Sequence, residues 1–301
     1  MDEAERKCYN EKIEEKCKKM KNDNCEWGEN PDSNTGKKEC FYNPWIETIS
    51  TPRKIKIPEK PEILVAGCGT GQHAITTASK YKNANILALD LSFKSLSYAK
   101  RKAIELKINN IDFIQGDLLD VKSIDKKFDI IESVGVIHHM EDPFKGWEVL
   151  TECLNNNSLM LIGLYSETAR KHISQIKNKF SKLILEPNNK NIIKFRKNLL
   201  ENINDQWNDI KTSPDFYTVS GVRDLLFHVK ENRFTISKIK DHLKRLGLVF
   251  LGFEDNLVKE KFKQIYTSKE DLYNLDKWER YEKNNPRIFA GMYQFWCKKI
   301  N

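Results

Sequence analysis

Five residues, Gly67-Cys68-Gly69-Thr70-Gly71, constrain this chain more than any others. They follow a short apolar run, Ile63-Leu64-Val65-Ala66, and precede a stretch from His73 to Tyr81 that reads as a helix. An apolar run without polar alternation is a strand buried on both faces. Glycines directly behind it let the backbone turn sharply and let a ligand approach where a Cβ would stand in the way. A second apolar run, Ile86-Leu87-Ala88-Leu89, ends at Asp90, about 20 residues further on, where a carboxylate can accept from two ribose hydroxyls. The plainer alternatives are a tight turn with no ligand for the loop and a helix-starting acid for Asp90.

The same alternation continues along the chain. Ser92 is a good N-cap for a helix with Leu96, Ala99, Ala103 and Leu106 at helical spacing. Ile111 to Ile114 reads as a third strand, Phe128 to Glu132 as a fourth and Leu159 to Leu164 as a fifth, with a helix from Trp147 to Leu154. Ile236 to Leu246 is a helix stopped by Gly247; Leu248 to Phe253 and Ile288 to Cys297 are the last strands. Strands alternating with helices require parallel pairing and right-handed crossovers, hence an α/β, doubly wound sheet. Between the fifth strand and the last helix lies a long insertion with Ile173, Ile176, Phe180 and Leu183 at helical spacing, a candidate substrate cap. The expected organisation is a charged appendage over 1–42, a cofactor-binding core over 43–165, a helical cap over 166–233 and completion of the sheet over 234–301.

Composition narrows the classes. Of 301 residues, 39% are hydrophobic and 31% charged, with no run near the ~20 apolar residues of a membrane helix. The charged start, Met1 to Lys7, has no apolar stretch behind it, so no secretory signal is expected and the cytoplasm is the expected compartment. A net charge of +8 admits a nucleic-acid partner, yet Lys and Arg are interleaved with Glu and Asp, as from Lys94 to Lys107, which reads as a solvated face. Cys8, Cys17, Cys25 and Cys40 cluster without a C-x-x-C pair or a histidine among them, so neither zinc nor a disulfide framework is expected. Nothing in the sequence indicates an oligomeric state.

Glycine spacing separates the ligands. A dinucleotide fingerprint is G-x-G-x-x-G, whereas the glycines here run G-x-G-x-G, and the Gly-Lys-Ser/Thr of a P-loop is absent. With its context, the segment resembles the first motif of the class I S-adenosylmethionine-dependent methyltransferases. Ala88-Leu89-Asp90-Leu91-Ser92 resembles their acidic ribose-binding motif, and Gln115-Gly116-Asp117-Leu118 the segment whose Asp faces the adenine amino group. Glu132-Ser133-Val134-Gly135-Val136-Ile137-His138-His139-Met140, followed by Asp142-Pro143, is similar to the motif after strand four in the general and small-molecule subgroup. Residues 215–254 and 289–297 also look similar to bacterial methyltransferases that carry tetratricopeptide repeats upstream.

The resemblance implies a Rossmann-like sheet, mostly parallel with an antiparallel last strand, and S-adenosyl-L-methionine as cofactor, held by Gly67, Cys68, Gly69, Thr70, Gly71, Asp90, Leu91, Gly116, Asp117, Leu118, Glu132, Ser133 and Val134. One position departs from the pattern. Family members commonly carry an acid two residues before the first glycine, helping to hold the amino group of the cofactor's methionine moiety; here that residue is Val65.

Methyl transfer from a sulfonium needs proximity and alignment more than a fixed catalytic residue. Where the acceptor must lose a proton, a base has to lie within reach, and His138 or His139 after the fourth strand is the candidate; no metal is expected there. Tyr165 and Glu167, just past the fifth strand, and Tyr217, Arg223 and His228 in the insertion are candidate substrate contacts, Asp224 and His228 sharing a helix face. The alternative for the insertion is that Leu225, Leu226 and Phe227 are core and their charged neighbours solvated. The expected acceptor is a small metabolite rather than a protein or RNA group, with no membrane partner. An NAD(P)-dependent oxidoreductase and a non-catalytic binding module are the alternatives.

Overall fold

The computed structural model describes residues 57–179, 188–201, 210, 213–227 and 230–300. The expectations for 1–42, the clustered cysteines, Phe180, Leu183 and His228 lie outside the described residues. Seven strands form one sheet in the order β3-β2-β1-β4-β5-β7-β6. They are β1 Glu62–Ala66, β2 Asn85–Asp90, β3 Ile111–Gln115, β4 Phe128–Val134, β5 Leu154–Leu164, β6 Leu248–Phe253 and β7 Tyr293–Lys299. β1 to β5 pair in parallel, and β7 slots between β5 and β6, antiparallel to both. The doubly wound parallel part of the sheet is what the apolar runs predict, and the antiparallel last strand is what the family resemblance implies.

Helix α1, Gln72–Lys80, follows the glycine loop, and α2, Phe93–Glu105, is capped by the Ser92 hydroxyl accepting from the Ser95 amide. α2 buries Leu96, Ala99 and Ala103, whereas Leu106 lies past its end and is exposed. α3 runs Pro143–Cys153, starting a full turn before Trp147, because Asp142 accepts from the Phe144 and Lys145 amides and Pro143 needs no donor at the first position. α4 Lys171–Lys179, α5 Asn189–Glu201 and α6 Val219–Leu226 lie in the insertion; α7 Ile236–Arg245 precedes β6. α8 Asn256–Lys263 and α9 Leu275–Asn284 fill the β6–β7 connection, which the sequence pattern did not resolve. The last strand begins at Tyr293, not Ile288; Phe289 is buried in the turn before it.

Among the described residues, two apolar clusters bear on the site. One spreads over a face of the sheet: Leu64, Ile131, Met160, Ile162 and Phe295 meet Trp147 of α3, Ile239 of α7, Phe262 of α8 and Trp278 of α9. The rings of Phe262 and Trp278 stack at 3.7 Å. The other belongs to the insertion alone: Ile173 and Ile176 of α4, Ile192, Phe195 and Leu199 of α5, and Val222, Leu225 and Leu226 of α6 enclose Phe216 and Phe227. α1 covers the opposite sheet face, since Ile131 joins the first cluster while its neighbour Glu132, alternating in side-chain direction, reaches Thr77 of α1.

Candidate functional site

Parallel strands present their C-terminal ends on one edge, where the connecting loops form a crevice. The loop at 67–71 leaves β1 there, Asp90 and Leu91 close β2, Gly116 and Asp117 follow β3, and Glu132 to Val134 end β4. The backbone joins these ends: Gly67 and Cys68 donate to Leu89 O at 2.7 and 3.0 Å, and Gly116 donates to Asp90 O at 3.1 Å.

Two of the glycines do different work. Gly67 has φ +77°, and a Cβ on it would sit 2.2 Å from Val136 Cγ2, so it is required for packing against the segment after β4. Gly69 has φ +54° and faces open space, with nothing within 4 Å of an added Cβ. Its amide donates to Asp90 Oδ2 at 2.7 Å, and the Ser92 amide donates to Oδ1 at 2.8 Å. The carboxylate is thereby fixed against the loop, with a lone pair on each oxygen left for hydroxyl donors. Thr70 is exposed and Gly71 is the N-cap of α1. Cys68 is buried, and burial, with the Asp90 charge adding, pushes its thiol pKa up to about 12, so it is no nucleophile at neutral pH.

Leu91 is 66% exposed at the rim, an apolar plate beside Asp90. Asp117 caps a short 3-10 turn through the Leu119 amide at 2.9 Å. The Leu118 side chain is buried in the sheet core, so what it can offer a ligand is backbone. Ser133 is fully buried with its hydroxyl unbonded, Val134 is half-buried, and Glu132 is buried with Oε2 accepting from Thr77 Oγ1 at 2.6 Å. His73 Nε2 stands 2.9 Å from the same oxygen, within ion-pair reach but off the hydrogen-bond line. Burial alone would lower the His73 pKa; the contact with Glu132 outweighs it and raises it.

After β4 the chain turns through Ile137–His139. His138 is fully buried and its Nε2 is 3.1 Å from His139 Nε2, while His139 Nδ1 is 3.0 Å from Lys230 O. A carbonyl only accepts, so His139 carries a proton on Nδ1, and when that ring is neutral its Nε2 accepts from His138 Nε2. Tyr165 lies over His138 with ring centres 3.9 Å apart, and the Arg170 guanidinium lies 3.7 Å from the Tyr165 ring centre. Burial raises the Tyr165 pKa; Arg170 opposes the rise, and Glu231, Asp215 and Asp224 add to it.

Arg170 and Glu231 form a buried two-pronged ion pair, Nε to Oε1 at 3.1 Å and Nη2 to Oε2 at 3.0 Å. The strap containing Glu231 is sewn to both strand ends. Asn232 donates its backbone amide to His138 O at 2.7 Å and its side-chain amide to Met140 O at 2.8 Å; Phe234 donates to Tyr165 O and Glu167 to Phe234 O. Sequence reasoning missed Arg170, Glu231 and Asn232, because partners so far apart in the chain leave no local pattern. Glu167 is also bridged by Lys238 at 3.2 Å. Tyr217 is exposed, its carbonyl accepting from Arg196, and Arg223 donates to Asn189 at the start of α5. The structure thus brings Tyr165 to the histidines and places Tyr217 and Arg223 in the framework of the insertion.

A family described as "Methyltransferase domain" matches residues 59–219. A Synechococcus protein, uncharacterized syc1184_c, is 28% identical over 74% of this chain and 56% of its own length. Probable (S)-tetrahydroprotoberberine N-methyltransferase 2 of Papaver bracteatum is 29% identical over 36% of this chain and 30% of its own. In shape the chain is similar to PKMT2 from Rickettsia typhi, solved in complex with AdoHcy: TM-score 0.62, 20% identity, 87% of this chain and 53% of that one. The chain therefore spans about half the length, or less, of these relatives. The likeness to repeat-bearing bacterial methyltransferases is not among what these matches show.

Proposed function

Because the chain belongs to the methyltransferase domain family, the class I S-adenosylmethionine-dependent methyltransferases, matched over more than half its length, we propose that it moves a methyl group by in-line displacement to an acceptor covered by the 166–233 insertion. The favoured acceptor is a small metabolite over a protein or RNA group. The observation that carries this reading is the convergence of an open-faced glycine, Gly69, with a carboxylate already clamped by backbone amides, Asp90.

In this reading Gly67 to Gly71 cradle the cofactor, Asp90 accepts from both ribose hydroxyls, and Leu91 flanks the base. Gly116, Asp117 and the Leu118 backbone rim the base, and Glu132 to Val134 face the amino-acid end. When bound, S-adenosylmethionine supplies a methyl made electrophilic by its sulfonium. The chain's own residues align the acceptor and exclude water. His138 or His139 is the candidate base; the Lys230 carbonyl sets the tautomer of His139, whose Nε2 must give up the His138 contact before it can take a proton. Tyr165, Glu167, Tyr217, Arg223 and His228 are the candidate acceptor contacts. The Papaver relative is named an N-methyltransferase, which makes amines the first acceptors to assay.

Calorimetric titration with S-adenosylmethionine and with NAD tests the donor. Asp90→Ala should weaken S-adenosylmethionine binding at least tenfold, the scale of two lost charge-assisted hydrogen bonds. Unchanged affinity, or preference for NAD, would overturn the assignment. Transfer of labelled methyl to a panel of amines, alcohols and thiols, set beside peptides and RNA, tests the acceptor class.

A further inference from the structure

The amino-acid end of S-adenosylmethionine carries an ammonium, and an ammonium leaving water needs an anionic or carbonyl acceptor. The β1 residue directed to the α1 side just below the glycine loop is Val65, which has nothing to offer. The adjacent strand does. Val65 is in register with Glu132 of β4, and partners on parallel strands project from the same face, so the two side chains stand next to each other. Glu132 is 3% exposed. Its Oε2 is held by Thr77 Oγ1 and approached by His73 Nε2, both on the helix that starts at the end of the glycine loop. Its Oε1 accepts from no described residue. A buried carboxylate steered by one oxygen, with the other left over, in register with the residue two before the loop's first glycine, is an arrangement suited to a cationic donor from outside the chain.

We propose that Glu132 binds the cofactor's α-ammonium through Oε1, the acid expected on β1 having moved one strand across the sheet to β4, with Thr77 and His73 as positioning residues. The proposal rests on the donor reading above. It also accounts for a valine in the loop motif without leaving the ammonium unpaired, since the cross-strand pair Val65–Glu132 keeps one acid and one apolar residue at this level of the sheet.

The test compares two ligands that share the adenosine and the sulfur but differ in the amino acid: S-adenosylhomocysteine, which carries the ammonium, and 5′-methylthioadenosine, which lacks it. Glu132→Gln keeps the shape and an acceptor for Thr77 but removes the charge. Calorimetry should show S-adenosylhomocysteine weakened at least tenfold by Glu132→Gln and methylthioadenosine changed by less than about twofold. If both ligands weaken together, Glu132 is only a strut for α1 and the proposal fails; it fails equally if neither changes. The Val65→Asp/Glu132→Val double variant, which returns the acid to β1, should recover the preference for S-adenosylhomocysteine that Glu132→Val alone loses, and no recovery overturns the cross-strand exchange. This pair also carries the test if Glu132→Gln melts at the assay temperature. A native protein that binds neither ligand refutes the donor reading itself, a result distinct from loss of selectivity in the variants.

Discussion

At the scale of single residues, the glycines of the loop separate folding from binding. Gly67 and Gly69 share a left-handed backbone that costs an alanine about 1–2 kcal/mol. Of these two, Gly67 is the one where an added Cβ collides, with Val136. Gly67→Ala should therefore lose about 2–4 kcal/mol of stability, the backbone cost plus overpacking. Gly69→Ala should lose only the backbone part yet bind S-adenosylhomocysteine at least tenfold more weakly, because its methyl would fill the cradle. Denaturant melts set beside calorimetry check the contrast; equal stability losses in the two variants would refute it. The loop and Asp90 were legible in the sequence because their meaning is local: a turn after an apolar run, a carboxylate at the next strand end. The His73–Thr77–Glu132 contact was not, since it exists only once β1 and β4 pair in register and α1 folds back over them.

At the scale of elements, the insertion is joined to the sheet by polar links. Residues 230–234 bond to the turn after β4 and to the chain leaving β5, and Arg170–Glu231 closes the ring. Burial would raise the Glu231 pKa, but Arg170 foremost, with Lys177 and Arg233, lowers it below the ordinary 4.5. A depressed acid stabilises the fold fully above its unfolded pKa, and that stabilisation is lost as pH falls through the folded value. Protease sensitivity of 166–233 should therefore rise below about pH 4.5, ahead of unfolding of the sheet. Glu231→Gln should be cleaved more readily at neutral pH, with the acid-dependent step flattened. A step unchanged in the variant would assign it to another group. The pattern of apolar residues showed that this region is helical, but a buried ion pair carries no sequence signature. The start of α3 was missed for a different reason: Asp142-Pro143 is a clear helix-starting pair, hidden by reading it as part of the motif before it.

At the scale of the whole molecule, the alternation of apolar runs carried the parallel half of the sheet, because each strand there is buried on both faces and followed by a helix. The far half was harder to read. β7 enters between β5 and β6 only after α8 and α9, whose buried faces are aromatic and are interleaved with charge, as in Trp278, Tyr281 and Glu282. Those helices join the sheet core, whereas the insertion keeps an apolar cluster of its own. Apolar burial binds elements more strongly than a few hydrogen bonds, each worth about 1 kcal/mol net. The insertion should therefore open as a unit without the sheet. Native-state hydrogen exchange should place α4–α6 amides at a lower opening free energy than β1, β4 and β5. Trp278→Ala, expected to cost about 3–5 kcal/mol in the sheet core, should lower the strand values and leave a gap of reduced size. If the insertion covers the acceptor, cofactor and acceptor together should slow exchange in α4–α6 more than cofactor alone, because only the pair gives its closed position a ligand to hold. Exchange indifferent to the acceptor would make the insertion a rigid wall of the site and return the search for specificity to Tyr165 and the histidines beneath it.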